Sequence, residues 1–463
     1  MARREHAILA ETSSQQQVYL AERRNLSMKT AEDQENTIRR VILASFIGTT
    51  IEWYDFFLYG TAAALVFNRL FFPNLDSFTG TLSAFGTFAV GFIARPFGGL
   101  IFGHFGDRLG RKSMLVSSLL IMGVATFVIG LLPTYHTIGL LAPILLVTMR
   151  FAQGIGVGGE WGGAVLMAVE HSSGRKRGFH GSWPQMGVPA GLLLSTIVFS
   201  VCSSALTEAQ FLAWGWRLPF LLSVVLIGVG LFIRLRILET PAFLHQRQDE
   251  ETRQLPVAAL LRNYPRNVLL GIGMRFAENG TFYVLTVFVL SYGESYLKLP
   301  RSTMLTGVIL SSFIGLFTIP AFGALSDRVG RRPVYLGGAL FTMFFAFPFF
   351  WLLDTRSSIL IWLAIILGVN LGHDAMYGPQ AAFFSELFGT RVRYTGASLS
   401  YQLSSVFAGG FAPLIATGLL AKFGSSGVAA YVVVMGLVTV VSTVLTAETF
   451  RSDLLEEHTR SSP

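Results

Sequence analysis

The feature that most constrains this chain is a series of long apolar stretches. A helix needs about 20 mostly apolar residues to cross the hydrocarbon core of a bilayer. Twelve windows of this kind, called spans 1 to 12 in order, lie at 41–67, 81–102, 113–132, 139–168, 181–203, 214–235, 267–291, 303–325, 333–353, 358–385, 396–421 and 427–448. Only 13% of the 463 residues are charged, about half the usual share of a soluble protein. The sequence therefore predicts an all-α polytopic membrane protein.

The longest polar break between spans divides them six and six. We expect a disordered cytosolic N-terminal tail, an N-terminal six-helix bundle, a cytosolic linker, a C-terminal six-helix bundle and a cytosolic C-terminal tail, at residues 1–37, 38–235, 236–266, 267–449 and 450–463. The N-terminal tail has no apolar core of a signal peptide. Met1 and Met28 are both candidate start residues.

Lys and Arg are unevenly distributed around the spans. With both termini in the cytosol, most of the 35 basic residues fall in cytosolic segments, while Arg95, Arg150 and Arg275 lie within spans. Arg95 lies low in span 2, near the cytosol, and is expected to be structural or to contact a gate. This positive-inside pattern predicts a multi-pass protein of the plasma (inner) membrane. The lipid bilayer then accounts for the net charge of +8, and no nucleic acid is expected as a partner. A monomer is the expected state for this architecture.

Short motifs repeat between the two halves of the chain. FGHFGDRLGRK (102–112) follows span 2, and FGALSDRVGRR (322–332) follows span 8. Glu170 and Glu386 are each followed by two Arg at the same spacing. Two parallel six-helix units explain these matches, and internal repeats of this kind are typical of secondary transporters.

These loop motifs resemble the signature of the major facilitator superfamily. EWYDF (52–56), RFAQGIGVGGEWGGA (150–164), ETPAF (239–243) and ELFGTRVRYTGAS (386–398) resemble its metabolite:proton symporter family. The resemblance implies two six-helix bundles that move a small organic acid or zwitterion together with protons; members carry shikimate, 2-oxoglutarate, citrate, or proline and betaine. HFGDRLGRK, WGWRLPF (214–220) and the pair His373–Asp374 favour the shikimate-type branch.

Charged residues within spans are costly unless they face the protein interior or water. Glu52 and Asp55 in span 1 share one helix face, with Tyr59 a turn further on. Two neighbouring carboxylates resist ionising together, so this pair is a candidate for proton coupling. Asp55 is the first candidate and Glu52 the second, and Tyr59 is a candidate for substrate binding. The alternative is a carboxylate that pairs with an Arg only to fix helix packing.

Span 4 contributes Arg150, with Gln153 one turn on and Glu160 near the same face. A guanidinium is well suited to bind a carboxylate, and that carboxylate belongs either to the substrate or to Asp55. The alternative is a structural pair of Arg150 with Glu160. All three span 4 residues are predicted substrate-binding positions.

The second half contains corresponding candidates. Arg275 and Glu278 in span 7, with Tyr283 on a neighbouring face, are predicted to bind substrate, unless the first two only neutralise each other. His373 and Asp374 in span 10 form a rival proton site, because a histidine bonded to a carboxylate titrates near physiological pH. Two such ligands are too few for a metal site, so no metal is expected.

The loop signatures predict gates at the cytosolic side. A carboxylate there can accept backbone N–H groups at a neighbouring helix start, and nearby Arg side chains can bridge to a glutamate. The candidate gating residues are Asp107, Arg108, Arg111 and Glu170 in the first half and Asp327, Arg328, Arg331 and Glu386 in the second. A solvated basic loop that serves only orientation is the alternative.

GIGVGG (154–159) matches a nucleotide-binding pattern but lies inside an apolar helix without a preceding strand. Its small residues at four-residue spacing instead predict close helix packing, as do Gly187 and Gly191. No nucleophile, metal or Walker motif of an enzyme is present. The sequence predicts a proton-coupled symporter that imports a small carboxylate or zwitterion by alternating access, with the proton as coupling ion and no other cofactor. The alternatives are a uniporter or exchanger, or a non-transporting sensor on the same fold.

Overall fold

The apolar stretches form helices throughout the part of the chain that the structure describes. The structure is a computed structural model, and it describes residues 43, 45–109, 111–158, 165, 168–169, 172, 176–236, 260, 262–389 and 392–450. No β-strand occurs within these residues. The fold class predicted from the sequence is therefore confirmed.

The first half has helices at 45–65, Phe67–Phe71, Ser77–Leu109, Arg111–Leu131, Tyr135–Ile138, Leu141–Val157, Arg177–Gln185, Gly187–Ala205, Glu208–Gln210, Arg217–Leu221 and Ser223–Arg236. The second half has helices at Pro265–Tyr283, Val289–Ser291, Arg301–Val329, Arg331–Asp354, Ser358–Leu367, Asp374–Glu386, Arg393–Ser404 and Ala412–Leu445. Five of these helices continue directly into short π-helical segments, at Phe211–Gly215, Val284–Phe288, Tyr292–Tyr296, Gly368–His373 and Ser405–Gly410.

Seven helices in the described part are long and apolar enough to cross a membrane. The longest of them, Thr395–Leu445, contains two predicted spans, since Gly424 has a left-handed φ of 66° there and breaks the helix into spans 11 and 12. The described apolar parts of spans 3 and 4, Val116–Leu131 and Leu141–Val157, are shorter. Span 7 is more polar because it contains Arg275, Glu278 and Asn279.

Glycines let the helices of the first half approach closely. A Cβ atom on Gly154 would lie 2.1 Å from the carbonyl oxygen of Gly91, and one on Gly158 would lie 2.0 Å from that of Arg95. These contacts join spans 2 and 4, as the small-residue spacing predicts. Gly191 meets span 1 in the same way, since its Cβ would lie 2.7 Å from the carbonyl oxygen of Thr50.

We expect Gly154→Ala to destabilise the protein, because the added methyl group meets backbone that cannot move aside. Overpacking of this kind typically costs about 1–3 kcal/mol. The measurement is the melting temperature of the purified protein in detergent. Gly418→Ala is the matched control, since no atom lies within 4 Å of its added Cβ. Equal melting temperatures for the two variants would contradict the close packing of spans 2 and 4.

Candidate transport site

A small cavity lies between the two halves of the protein. Spans 1, 5, 7, 10 and 11 line it with Trp53, Val188, Arg275, Glu278, Asn279, Phe282, Tyr283, His373, Tyr377 and Tyr401. It has room for about one water molecule. Four predicted site residues, Arg275, Glu278, Tyr283 and His373, are thus brought together around one cavity.

Arg275 is the best-bonded cation of this cavity. Its Nε donates to Glu278 Oε2 at 2.8 Å, and its Nη1 donates to the carbonyl oxygen of Tyr401 at 2.6 Å and to Ser405 Oγ at 2.8 Å. The guanidinium also lies 3.4 Å from the ring centroid of Tyr401. The remaining nitrogen, Nη2, is buried without a hydrogen-bond partner in the described structure. One donor of a paired arginine is therefore left open for another acceptor.

His373 lies between two carboxylates. Its Nδ1 is 2.9 Å from Asp374 Oδ1, and its Nε2 is 3.4 Å from Glu278 Oε1. Its ring packs against Phe282 and Tyr377, with centroids 4.3 and 5.0 Å apart. A proton taken up by this imidazole would therefore gain two anionic partners, and the pair predicted at 373–374 extends into the Arg275–Glu278 network.

Asp374 is also held from its other side. Its Oδ2 accepts from Asn370 Nδ2 at 2.8 Å and from the Thr318 hydroxyl. These donors come from spans 10 and 8, and they fix the carboxylate that faces His373.

The first half contains a second polar group, which does not line the cavity. Arg150 Nη1 donates to Gln153 Oε1 at 3.1 Å, and Gln153 Nε2 donates to Thr126 Oγ1 at 2.7 Å. The Arg150 guanidinium lies 4.2 Å from the ring centroids of both Tyr59 and Phe56. Arg150, Gln153 and Tyr59, all predicted substrate-binding positions, therefore lie together, and the hydrogen-bond partner of Arg150 among the described residues is an amide.

Aromatic rings lie between this group and the cavity. Phe56, Phe88, Phe92 and Tyr283 contact one another with centroids 5.0 to 6.2 Å apart. Arg150 covers Phe56 and Phe88 on one side, while Tyr283 reaches the cavity on the other. A substrate in the cavity would have to displace these rings to touch Arg150.

Asp55 is fully buried and lacks a hydrogen-bond partner for either carboxylate oxygen within the described residues. Thr126 lies nearby, but its hydroxyl donates to the carbonyl oxygen of Met122 at 2.9 Å. Glu52, on the same face of span 1, is also buried, and it interacts electrostatically with Arg95. The two carboxylates predicted as a pair therefore have different surroundings.

Asp327 joins the two halves at one end of the molecule. Its carboxylate oxygens accept from the backbone N–H groups of Gly178 and Phe179, both at 2.8 Å, where span 5 begins. Arg331 Nη1 contacts Asp327 at 2.7 Å, and Arg331 Nε contacts Glu386 at 3.2 Å. We call Asp327, Arg331 and Glu386 the Asp327 cluster. It has the predicted geometry, since a carboxylate at a helix N-terminus is favoured by the dipole.

Of the other predicted gating residues, the structure describes the side chain of Arg328 alone. Arg328 is exposed beside the cluster. Glu160, Glu170 and the side chains of Asp107, Arg108 and Arg111 lie outside the described part of the chain, so their predicted contacts stay predictions.

Four charged residues join the halves at the other end. We call Arg69, Glu208, Glu294 and Arg301 the Glu208 cluster. Arg69 and Arg301 each contact Glu208 at 2.7 Å, and they contact Glu294 at 3.2 and 3.5 Å. Arg301 and Asp327 are the two ends of one helix, about 40 Å apart at 1.5 Å per residue. The cavity is therefore closed by interhalf contacts on both sides.

We expect Arg301→Gln to make the Glu208 end open more readily. Each ion pair near a protein surface contributes about 0.2–1 kcal/mol. Arg301 forms two of them, so opening should increase roughly 2- to 30-fold. The readout is the rate at which an impermeant thiol reagent, added from that side, labels a Val188→Cys variant lacking Cys202. Arg356→Gln, which removes an exposed charge from the same end, is the control. Equal labelling rates in the two variants would contradict a closing role for the cluster.

A helical membrane protein with a charged cavity between two repeated halves has the organisation of a carrier. The chain belongs to the Major Facilitator Superfamily, whose profile matches residues 45–413. This is a family of transporters, not of enzymes. The predicted resemblance to the superfamily is thus confirmed.

Curated relatives of the chain are named as transporters of small metabolites. It is 45% identical to the shikimate transporter of Escherichia coli K12 over 89% of this chain and 95% of that one. It is 37% identical to the proline/betaine transporter of the same strain, over 88% and 83%. The solved structure of the proton:xylose symporter XylE bound to 6-bromo-6-deoxy-D-glucose matches with a TM-score of 0.72 at 19% identity, covering 90% of this chain and 97% of that one. That structural likeness shows the fold.

Proposed function

We propose that the chain is a proton-coupled symporter for a small carboxylate, with a shikimate-like organic acid favoured over a zwitterion. The observation that carries the proposal is the cavity between the halves, where the Nη2 donor of the buried Arg275 lacks an acceptor. The name of the 45% identical relative supports this substrate class. An anion with hydroxyl groups suits a cavity that offers guanidinium donors beside carboxylate and imidazole groups.

The substrate would bind among groups that have unused hydrogen-bonding capacity. Arg275 Nη2 is an unpaired donor, and Asn279 Oδ1 is an unpaired acceptor in the described structure. Glu278 and His373 line the same cavity and can accept from or donate to hydroxyl groups. Trp53 supplies an apolar wall for a carbon ring. Because the cavity is closed, binding requires the halves to move apart at one end first.

Asp55 is the proposed site of the coupling proton. An ionised carboxylate that is buried with neither a donor nor a cation beside it is costly. The protonated acid avoids this cost and can donate to the nearby Thr126 hydroxyl oxygen. His373, between Glu278 and Asp374, is the rival proton site. Either group would have to meet water when the carrier opens.

Alternating opening of the two end clusters would complete the cycle. With both termini in the cytosol of a plasma membrane protein, the Asp327 cluster is the cytosolic gate and the Glu208 cluster the external gate. Coupling requires that a carrier with only the proton or only the substrate bound seldom reaches the closed state. Each ligand can favour the closed state only by binding it more tightly than the open state.

The test is uptake into proteoliposomes under an imposed pH gradient, with shikimate, 2-oxoglutarate, citrate, proline and betaine as probes. We expect shikimate to accumulate above its external concentration only when the lumen is alkaline. Uptake that only equilibrates shikimate across the membrane, whatever the pH gradient, would indicate a uniporter or exchanger. Binding without flux would indicate a sensor. Either result would overturn the symport proposal.

A further inference from the structure

Arg95 is a buried cation that the proposed cycle has not yet used. Its side chain on span 2 is 1% exposed. Nε and Nη2 have no hydrogen-bond partner, and no carboxylate of the described residues forms an ion pair with it. A guanidinium in this situation has open donors and an uncompensated charge, which is unfavourable in a protein interior.

The surroundings of Arg95 place it at the first-half wall of the cavity. Its guanidinium lies 4.3 Å from the ring centroid of Phe56, 4.4 Å from that of Phe92 and 5.4 Å from that of Trp53. Phe56 and Phe92 in turn contact the ring of Tyr283, with centroids 6.2 and 5.1 Å apart. Trp53 and Tyr283 both line the cavity. Arg95 thus lies behind the aromatic wall of the cavity.

Two arginines lie at the cavity, Arg275 in its lining and Arg95 behind its aromatic wall, and they are unequally compensated. Arg275 is paired with Glu278 at 2.8 Å and needs no further anion. Arg95 has only aromatic faces and the more distant Glu52. A carboxylate that entered the cavity would therefore gain most from Arg95, because a planar guanidinium can bind it with two parallel hydrogen bonds.

We propose that Arg95 binds the carboxylate of the transported substrate and selects anions over zwitterions. This inference rests on the proposed carrier function and names a residue and a charge class for its site. The aromatic faces of Phe56, Phe92 and Trp53, which would otherwise attract the cationic group of a betaine, are already occupied by Arg95 itself. The substrate anion would bridge Arg95 in the first half and Arg275 Nη2 in the second.

The experiment measures equilibrium binding of shikimate and of glycine betaine to the purified protein, together with ligand-induced changes in melting temperature. We expect Arg95→Gln to weaken shikimate binding by about 10- to 100-fold, as for loss of a hydrogen bond to a charged group. Arg95→Lys should recover part of the affinity, because it restores the charge without the fork of donors. The melting temperature of ligand-free Arg95→Gln should not fall, because the variant removes an unpaired buried charge.

Controls separate this inference from the proposed function. Arg217→Gln removes a half-buried arginine that donates to the carbonyl oxygens of Gly130 and Leu132, so it should alter stability and leave shikimate affinity unchanged. Normal shikimate affinity in Arg95→Gln and Arg95→Lys, with wild-type protein that binds and transports shikimate, would overturn the role of Arg95 alone. Equal affinity of wild-type protein for betaine and shikimate would overturn the anion selection. Wild-type protein that transports none of the probes would overturn the proposed function.

Discussion

Asp55→Asn should abolish accumulation of substrate driven by a pH gradient while leaving counterflow exchange. The carboxyl group is fully buried with both oxygens unpartnered in the described structure. The protonated, neutral form therefore suits this closed state better than the ionised form. Asparagine has nearly the same shape and stays neutral, and the carrier should therefore pass through the closed state with substrate alone. The measurement compares uphill uptake and counterflow in the same proteoliposomes.

The control for Asp55→Asn is Asp76→Asn. Asp76 is an exposed carboxylate whose Oδ1 accepts from the N–H groups of Phe78 and Thr79 at the start of span 2. The Asp76→Asn variant should leave proton coupling intact. Undiminished uphill uptake in Asp55→Asn would remove Asp55 from the role. Loss of coupling in His373→Gln with exchange preserved would then assign the proton to the imidazole.

Gly178→Leu should nearly stop transport by preventing closure at the Asp327 cluster. A Cβ on Gly178 would lie 2.4 Å from the carbonyl oxygen of Gly323 and 2.5 Å from Arg331 Nη1. The variant keeps the backbone N–H group that donates to Asp327, so only the steric contact changes. Overpacking by roughly 1–3 kcal/mol would disfavour the closed state by about 5- to 150-fold. The initial uptake rate should fall by a similar factor.

Gly337→Leu is the matched control, because no atom lies within 4 Å of a Cβ at that position. Expression and melting temperature are measured for both variants. A second readout is thiol labelling of Val188→Cys, which should become faster from the Asp327 side in the Gly178→Leu background. Normal uptake with normal expression would mean that spans 5 and 8 need not meet during the cycle.

The sequence predicts the membrane helices and the Asp327 cluster because both depend on local patterns. Apolar runs of bilayer length determine the spans, and the repeated loop motif identifies Asp327, Arg331 and Glu386. The preference of a carboxylate for a helix N-terminus predicts that Asp327 contacts a neighbouring helix start, and the structure identifies that helix as span 5. These features need no knowledge of how distant spans pack.

The cavity itself was only partly predictable. Helical spacing assigns Arg275 and Glu278 to one face, and the structure places them together. Spacing does not say which face of span 2 meets span 7, so the sequence suggests for Arg95 only a structural role or a gate contact. For Arg150 the sequence predicts a carboxylate of the substrate or of Asp55; among the described residues it contacts Gln153 and the rings of Tyr59 and Phe56, and substrate binding stays a prediction. Such cation–π contacts depend on tertiary packing, which periodicity cannot give.

The Glu208 cluster was missed for a related reason. Arg69, Glu208, Glu294 and Arg301 lie in four separate loops or helix ends, without a shared motif. Only the arrangement of the two halves brings opposite charges together there. The predicted outer loops contain a few basic residues and also acidic ones, which indicates that ion pairs could form there. The sequence does not say which of these residues pair.

Solvent access to the cavity is the most direct test of the carrier account. Val188 lines the cavity, and Cys202 is the one cysteine of the sequence. The double variant Val188→Cys with Cys202→Ser therefore has a single thiol, which reports solvent access to the cavity. We expect impermeant thiol reagents to label it from either face of sealed vesicles, with saturating shikimate slowing the reaction. A thiol that stays unreactive from both faces during incubation with substrate, yet reacts after denaturation, would contradict a cavity that opens to each side in turn.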